Sequence, residues 1–146
     1  MSMLDYEAHI GANVLIWAYT NLWGWPTIGD GTHIGAHCDI GKGVVIGRNC
    51  HIQSYAFIPP GVTIVDDVFI GPHVCFTNDK YLKRDGVWIP EPTLICAHVR
   101  IGARVTLLPV TVGEYAFIGA DSLVTRDIAP YTLAYGRPAR IEGRTI

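Results

Sequence analysis

The stretch THIGAHCDIGKGVVIGRNCHIQSYAFI, residues 32–58, repeats one pattern every six residues. Each unit ends on a large apolar residue: Ile34, Ile40, Ile46, Ile52 and Ile58. The residue two places before it is small or β-branched: Thr32, Cys38, Val44, Cys50 and Ala56. The same phase of large apolar residues extends outward from this stretch, back to Ile10 and on to Phe76.

A period of six differs from the 3.6-residue period of an α-helix and the 2-residue period of a simple strand. It is typical of a short strand followed by a turn, with two inward residues of unequal size in each unit. Glycine often follows the large residue, as at Gly35 and Gly41, which suggests a corner with unusual backbone angles. Three units would close a triangular coil about 18 residues long, and successive coils would stack about 4.8 Å apart.

The six-residue repeat stops after Phe76 and resumes at Ile95, Ile101 and Leu107. We therefore predict one domain, 1–146, with N-terminal coils over 10–76, an excursion loop over about 77–94, C-terminal coils over 95–125 and a cap over 126–146. The step from Leu107 to Val112 is five residues, so one residue is missing within LLPVTVG, 107–113. A distorted corner is expected there.

Composition and charge narrow the function classes. The 146 residues have a net charge of −2 and no basic run, so nucleic acid is not an expected partner. Apolar stretches are too short to cross a bilayer, and the first residues show no signal-peptide pattern, so no membrane is expected and the expected compartment is the cytoplasm. The four cysteines form no CxxC pair and are interpreted as reduced thiols that pack like small apolar groups.

Residues 18 apart should stack on adjacent coils. One such column contains Tyr19, His37, Tyr55 and His73, and a second pair is His33 with His51. A column of imidazole and phenol rings on an outer face has two interpretations: a subunit interface, or a metal or catalytic site at that interface.

The repeat resembles that of the left-handed parallel β-helix built from hexapeptide units, and the handedness is implied by this resemblance alone. Two runs, VFIGPHVCFTNDKY (68–81) and VGEYAFIGADSLVTRDIAPYTLAYGRPAR (112–140), resemble the sugar N-acyltransferases of that superfamily. The resemblance implies an all-β homotrimer that moves an acyl group, with acetyl expected, from a coenzyme A thioester to the amine of a dTDP- or UDP-linked amino sugar. It implies acetyl-CoA as co-substrate and no metal.

Candidate residues follow from the chemistry of amide formation and from that resemblance. Asn78 is a candidate to orient the amine or the acyl carbonyl, or a turn residue that ends a strand; Asp79 is a candidate to pair with the amine, and His73 is the titratable candidate for a general base. Candidate substrate-binding residues are Tyr55, Tyr81, Lys83 and Arg84. Small residues where coenzyme A would approach the C-terminal coils are Gly102, Gly119 and Ala120, and candidate phosphate contacts are Arg126, Arg137 and Arg140.

Two other functions stay open on the sequence. His37 and His73 are 36 residues apart, as are two ligands of the γ-class carbonic anhydrases, but Asn78 stands where that class has its third histidine. The chain also has Pro60-Gly61 where many sugar acyltransferases have Glu-Gly, and it lacks the Gly-His pair common near 107–113. These departures leave room for a non-catalytic β-helix that acts as a binding module.

Overall fold

The computed structural model describes residues 9–82 and 86–145, which form twenty short β-strands. In chain order these are β1 His9–Ile10, β2 Leu15–Ile16, β3 Asn21–Leu22, β4 Thr27–Ile28, β5 His33–Ile34, β6 Asp39–Ile40, β7 Val45–Ile46, β8 His51–Ile52, β9 Phe57–Ile58, β10 Val62–Ile64, β11 Phe69–Ile70, β12 Cys75–Phe76, β13 Thr93–Ile95, β14 Arg100–Ile101, β15 Thr106–Leu107, β16 Thr111–Val112, β17 Phe117–Ile118, β18 Leu123–Val124, β19 Thr132–Gly136 and β20 Ala139–Arg144. No helix in the described residues is long and apolar enough to span a bilayer.

Strands three apart in the chain, from β1 to β18, pair in parallel and form three sheets, the faces of a prism, one of which is extended by β19 and β20. Face A is β1-β4-β7-β10-β13-β16, face B is β2-β5-β8-β11-β14-β17-β19-β20, and face C is β3-β6-β9-β12-β15-β18. The register advances by one coil of 18 residues, as in the pairing of His9 with Thr27 and of Ile10 with Ile28. The predicted fold class, an all-β left-handed parallel β-helix with one excursion and a C-terminal cap, is confirmed.

The large residue of each unit points into the prism. The largest fully buried side chains are this series: Ile28, Ile34, Ile40, Ile46, Ile52, Ile58, Ile64, Ile70, Phe76, Ile95, Ile101 and Leu107. In the first coil Ile10 and Ile16 are 44% and 37% exposed, because only one described coil packs against them. The small inward residues fill the corners between these large side chains, so the interior is a continuous apolar core.

The corner glycines have a different role from the predicted one. The left-handed backbone conformation lies two residues later, for example at His37 (φ 58°) and Tyr55 (φ 67°), and not at Gly35. A Cβ on Gly35 would instead lie 2.6 Å from the backbone nitrogen of Ser54 on the next coil. Glycine is required there because adjacent coils approach too closely for a side chain.

Hydroxyl and thiol groups link successive coils inside the corners. The Thr32 hydroxyl donates to the Gly47 carbonyl (2.7 Å) and accepts from the Cys50 backbone N–H (3.1 Å). The Cys50 thiol donates to the Val65 carbonyl (3.0 Å), and burial raises the pKa of Cys50, which keeps this donor protonated. The described cysteines are free, as predicted. Cys50 is buried as predicted and serves as a hydrogen-bond donor as well.

Thr32→Val is expected to lower the free energy of unfolding by about 1–3 kcal/mol, because an isosteric methyl leaves a buried carbonyl and N–H unpaired. Urea denaturation followed by circular dichroism measures the change. Thr27→Val is the matched control, because Thr27 points outward and is exposed. Equal stability of the two variants would contradict the proposed role of the hydroxyl.

The excursion and the cap depart from the regular coil. The excursion occupies 77–92 and ends two residues before the predicted bound of 94, because β13 already begins at Thr93. Beyond it the register is 17 residues, with Ile101 opposite Ile118, which confirms the missing residue: the corner at 108–110 has three residues, whereas 41–44 has four. At the C-terminal end β19 joins β17 in parallel and β20 folds back antiparallel, and Ile128 and Ala134 close the interior.

Candidate functional site

The corner between faces B and C carries a continuous column of side chains, here called the BC column: Tyr19, His37, Tyr55, His73, Arg104 and Asp121. Its first four rings stack almost parallel, with centroid distances of 5.1, 5.0 and 4.7 Å and interplanar angles of 15°, 4° and 3°. The predicted stacking of residues 18 apart is therefore confirmed. His73 is the last ring and is exposed.

Arginine and aspartate continue this column beyond His73. Arg104 and Asp121 lie on the next two coils, and Arg137 from the cap contacts the Asp121 carboxylate (2.6 Å) and its carbonyl (2.9 Å). With His73 these three residues line a hollow of about 410 Å³. The sequence reasoning missed Arg104 because the excursion breaks the 18-residue spacing. The signal was present: Arg104 follows Ile101 by three residues, as His73 follows Ile70.

Asn78 closes the base of the excursion at the corner between faces C and A. Its side-chain amide donates to the Pro60 carbonyl (2.9 Å), and its own carbonyl accepts from the Glu91 N–H (2.8 Å). The neighbouring Asp79 carboxylate accepts from the Tyr81 N–H (3.1 Å), which forms a local turn. Within the protomer Asn78 follows the end of β12, as the turn alternative has it, and its side chain also holds the base of the excursion to the Pro60 carbonyl.

His73 and Asn78 lie at opposite ends of β12. They belong to different corners of the prism, His73 to the corner between faces B and C and Asn78 to the corner between faces C and A. Direct proton transfer needs heavy atoms about 3 Å apart. The predicted group His73, Asn78 and Asp79 is therefore not brought together within one protomer: Asn78 and Asp79 share one corner, and His73 occupies another.

The candidate substrate-binding residues are also divided. Tyr55 stacks directly on His73 in the BC column. Tyr81 lies in the excursion and is 75% exposed. Lys83 and Arg84 lie outside the described residues. The excursion also exposes Leu82, Val87, Trp88 and Ile89.

The predicted coenzyme A residues surround the last coils. Gly102 and Ala120 are corner neighbours, and a Cβ on Gly102 would lie 2.7 Å from the Ala120 nitrogen, so these positions are close coil contacts. A Cβ on Gly119 would lie 2.8 Å from the Tyr135 Cβ. Arg126 and Arg140 are exposed, whereas Arg137 is paired with Asp121.

A groove of about 760 Å³ lies at another corner, between faces A and B of the C-terminal coils. Its lining includes Cys96, Ala97, Gly113, Asp127 and Pro130. None of the predicted coenzyme A residues lines this groove. The sequence offered no signal for it, because it forms where the cap folds back over the coil with the missing residue.

The two histidines of the metal hypothesis lie two coils apart, and the Tyr55 ring stacks between them. Imidazoles so placed cannot bind one ion within a protomer. Residues 9–82 and 86–145 also bring no three His, Cys, Asp or Glu side chains together as a metal-ligating group.

Sequence comparison identifies the repeat. The family model described as Bacterial transferase hexapeptide (six repeats) matches residues 26–60 and 43–78. Over 52 residues, 35% of the chain, the sequence is 50% identical to a dTDP-3-amino-3,6-dideoxy-alpha-D-galactopyranose 3-N-acetyltransferase of Aneurinibacillus thermoaerophilus. The matched stretch spans 27% of that relative, and the chain spans less than a third of each curated relative compared.

Solved structures share the fold over nearly the whole chain. AntD, an N-acyltransferase from Bacillus cereus in complex with dTDP and 3-hydroxybutyryl-CoA, is 25% identical, with a TM-score of 0.81 over 93% of this chain and 82% of its own. A mutant GDP-perosamine N-acetyltransferase of Caulobacter crescentus in complex with CoA and GDP-perosamine is 20% identical, with a TM-score of 0.70 over 93% of this chain and 58% of its own. The latter likeness is one of fold.

Proposed function

We propose that this hexapeptide-repeat β-helix is a coenzyme A-dependent N-acyltransferase that acts as a cytoplasmic homotrimer. It transfers an acyl group, here taken as acetyl, to the amine of a dTDP- or UDP-linked amino sugar. One observation carries the proposal: an excursion anchored by Asn78 of the FTND run stands on a prism similar over 93% of the chain to AntD, which was solved with dTDP and an acyl-CoA.

The reaction balances with the two substrates alone. The amine lone pair attacks the thioester carbonyl carbon, the C–N bond forms, the C–S bond breaks, and coenzyme A leaves as the thiol. The amine gives up one proton, which a side chain or the departing thiolate accepts. Holding both substrates in a productive geometry supplies roughly 7–11 kcal/mol in favourable cases, so binding dominates the catalysis.

His73 is the side chain best placed to accept that proton. It is exposed at the end of the BC column, and its ring plane is held by the Tyr55 ring. On its other side Arg104 continues the column and adds positive charge beside a developing oxyanion or a phosphate.

The separation of His73 from Asn78 supports a site between protomers. A threefold assembly of prisms can place the excursion of one protomer beside the BC column of its neighbour. The corner that holds Asn78 in one protomer would then face the corner that holds His73 in the next. The exposed Val87 and Ile89 side chains would then be buried. Tyr81 and Asp79 would face the nucleotide sugar from the excursion, and Lys83 and Arg84 stay substrate-binding candidates by their place in the sequence.

We place the acyl donor, acetyl-CoA, along the C-terminal coils. Arg126 and Arg140 are the better phosphate contacts, because Asp121 already neutralises Arg137. The small residues Gly102, Gly119 and Ala120 keep the corner low, so that the pantetheine arm can lie close to the backbone.

The proposal is tested by incubating the protein with acetyl-CoA and a panel of dTDP-, UDP- and GDP-linked amino sugars, and measuring free thiol and product mass. We expect stoichiometric thiol and an N-acyl product with at least one dTDP- or UDP-linked sugar. Analytical ultracentrifugation of the same sample should show a trimer. Absence of thiol release across the panel, or turnover by a stable monomer, would overturn the proposal.

Asn78→Ala is expected to lower kcat/KM by about 100-fold, because the excursion loses its hydrogen bond to the Pro60 carbonyl and the residues it presents move out of register. Steady-state kinetics and limited proteolysis of the excursion measure the two effects together. Asn21→Ala is the control, because Asn21 is an exposed outward residue of face C. A variant whose excursion is cleaved faster but whose kcat/KM is unchanged would show that the excursion has no part in the site.

A further inference from the structure

A notch of about 310 Å³ interrupts the BC corner over the first three coils. It is lined by Trp17, His33, Gly35, Ala36, His51, Ile52, Gln53 and Ser54. Trp17, Gly35 and Gln53 each follow the large inward residue of their unit on three successive coils. Because the middle coil has glycine and alanine here, the corner is hollow between the indole of the first coil and the amide of the third.

The notch has the height of one planar ring. Trp17 and Gln53 lie two coils apart, about 9.6 Å at the usual strand spacing. A ring in van der Waals contact on both faces needs about 7–8 Å. Gly35 cannot be replaced by a residue that would fill the gap, since its Cβ would meet the Ser54 nitrogen at 2.6 Å.

The groups around the notch have unused hydrogen-bonding capacity. The Trp17 side chain is 65% exposed, and its indole N–H and the Gln53 amide have no partner among the described residues. Trp23 on the same coil, by contrast, donates its indole N–H to Asp39 (2.9 Å). His33 and His51 contact each other edge to face (5.2 Å) and leave ring nitrogens available. No carboxylate lines the notch.

The notch presents the exposed Trp17 indole, the amide of Gln53 opposite it and two imidazoles, and no carboxylate lines it. Such a lining suits a flat, neutral ring with hydrogen-bonding edges. A nucleobase has this chemistry: its faces stack on indole, and its edge pairs with a primary amide. We propose that the notch binds the base of a nucleotide, and that the base is that of the sugar nucleotide. This inference rests on the proposed function for the identity of the nucleotide.

Position along the corner favours the sugar nucleotide over coenzyme A as the source of the base. Gln53 and Ser54 directly precede Tyr55, whose ring stacks on His73. A base in the notch would therefore lie on the N-terminal side of His73, and the diphosphate and sugar would extend toward it. The arginines that suit the donor lie on the opposite side, on the C-terminal coils.

The test measures equilibrium binding of dTDP by calorimetry, without any acyl transfer. Ribose 5-phosphate, which lacks a base, and coenzyme A are the comparison ligands. We expect wild type to bind dTDP at least about tenfold more tightly than ribose 5-phosphate, and Trp17→Ala and Gln53→Ala to remove most of that difference. Trp23→Ala, an exposed tryptophan of the same coil outside the notch, should bind as wild type does.

The affinities of Trp17→Ala for dTDP and for coenzyme A show whether the notch binds a base and which ligand supplies it. Weaker binding of coenzyme A but not of dTDP by Trp17→Ala would keep the base site and assign it to the adenine of the donor. Unchanged affinity for both ligands, or a change of oligomeric state alone, would overturn the proposal, since the notch would then be empty or covered by a neighbouring copy. The thiol-release assay tests the acyltransferase activity independently of dTDP binding. If wild type releases thiol and Trp17→Ala binds dTDP as tightly as wild type does, only the proposed base site is contradicted.

Discussion

His73→Asn is expected to lower kcat/KM for amine acylation by about 100- to 10,000-fold, the usual contribution of a general base. Stability should hardly change, because the imidazole is exposed and its main contact is the Tyr55 ring. Asparagine suits the substitution, since His73 has φ 59° and Asn13 and Asn49 of this chain adopt φ 57° and 52°. Steady-state kinetics with saturating acetyl-CoA measure the loss.

His37→Asn provides the matched control for that experiment. His37 has the same backbone conformation (φ 58°) and is stacked between two tyrosines two coils away. It should keep wild-type kcat, while any effect of breaking the ring stack would appear in both variants. Full activity of His73→Asn would show that the departing thiolate accepts the proton and that His73 is not a catalytic residue.

Phe76→Ala is expected to lower the free energy of unfolding by about 3–5 kcal/mol, the cost of removing a buried phenyl group and leaving a cavity. Phe76 is fully buried and is the last inward residue before the excursion. Its loss should therefore also loosen Thr77 and Asn78, which anchor the excursion to the Leu107 and Pro60 carbonyls. Thermal and urea denaturation at matched protein concentration measure the change.

Phe57→Ala is the control, because Phe57 lies on the same face but points outward and is 43% exposed. It should be within about 0.5 kcal/mol of wild type when the protein is monomeric. A larger loss in Phe57→Ala that depends on concentration would place face C in the subunit interface. Equal losses in the two variants at all concentrations would contradict the assignment of the inward series.

The coil itself was predictable because its contacts are local. Each coil packs only on its neighbours, so one inward residue every six positions specifies strand, corner and register together. The same arithmetic predicted the rings of Tyr19, His37, Tyr55 and His73 as a column. It also predicted a distorted corner before Val112, where the structure has a corner of three residues and a register of 17 residues.

The site was less predictable, because its parts come from different corners. Sequence proximity of His73 and Asn78 suggested a single cluster, yet a short strand between them carries each to its own edge of face C. Arg104 is recognised as part of the column only when the residues of the excursion are left out of the 18-residue spacing. The notch at Gly35 depends on which residues flank it on the adjacent coils, Trp17 and Gln53. It also depends on the indole N–H and the side-chain amide of these two residues having no partner among the described residues.

The sequence by itself determined a prism of hexapeptide coils, the faces that its residues occupy and the place where the chain leaves the regular path. Only the tertiary structure decided that glycine serves close coil contact, that Asn78 anchors the excursion, and where the hollows lie. The physical reason is that periodic burial is encoded residue by residue, whereas a cavity is the space left between side chains that meet only after the coils have stacked.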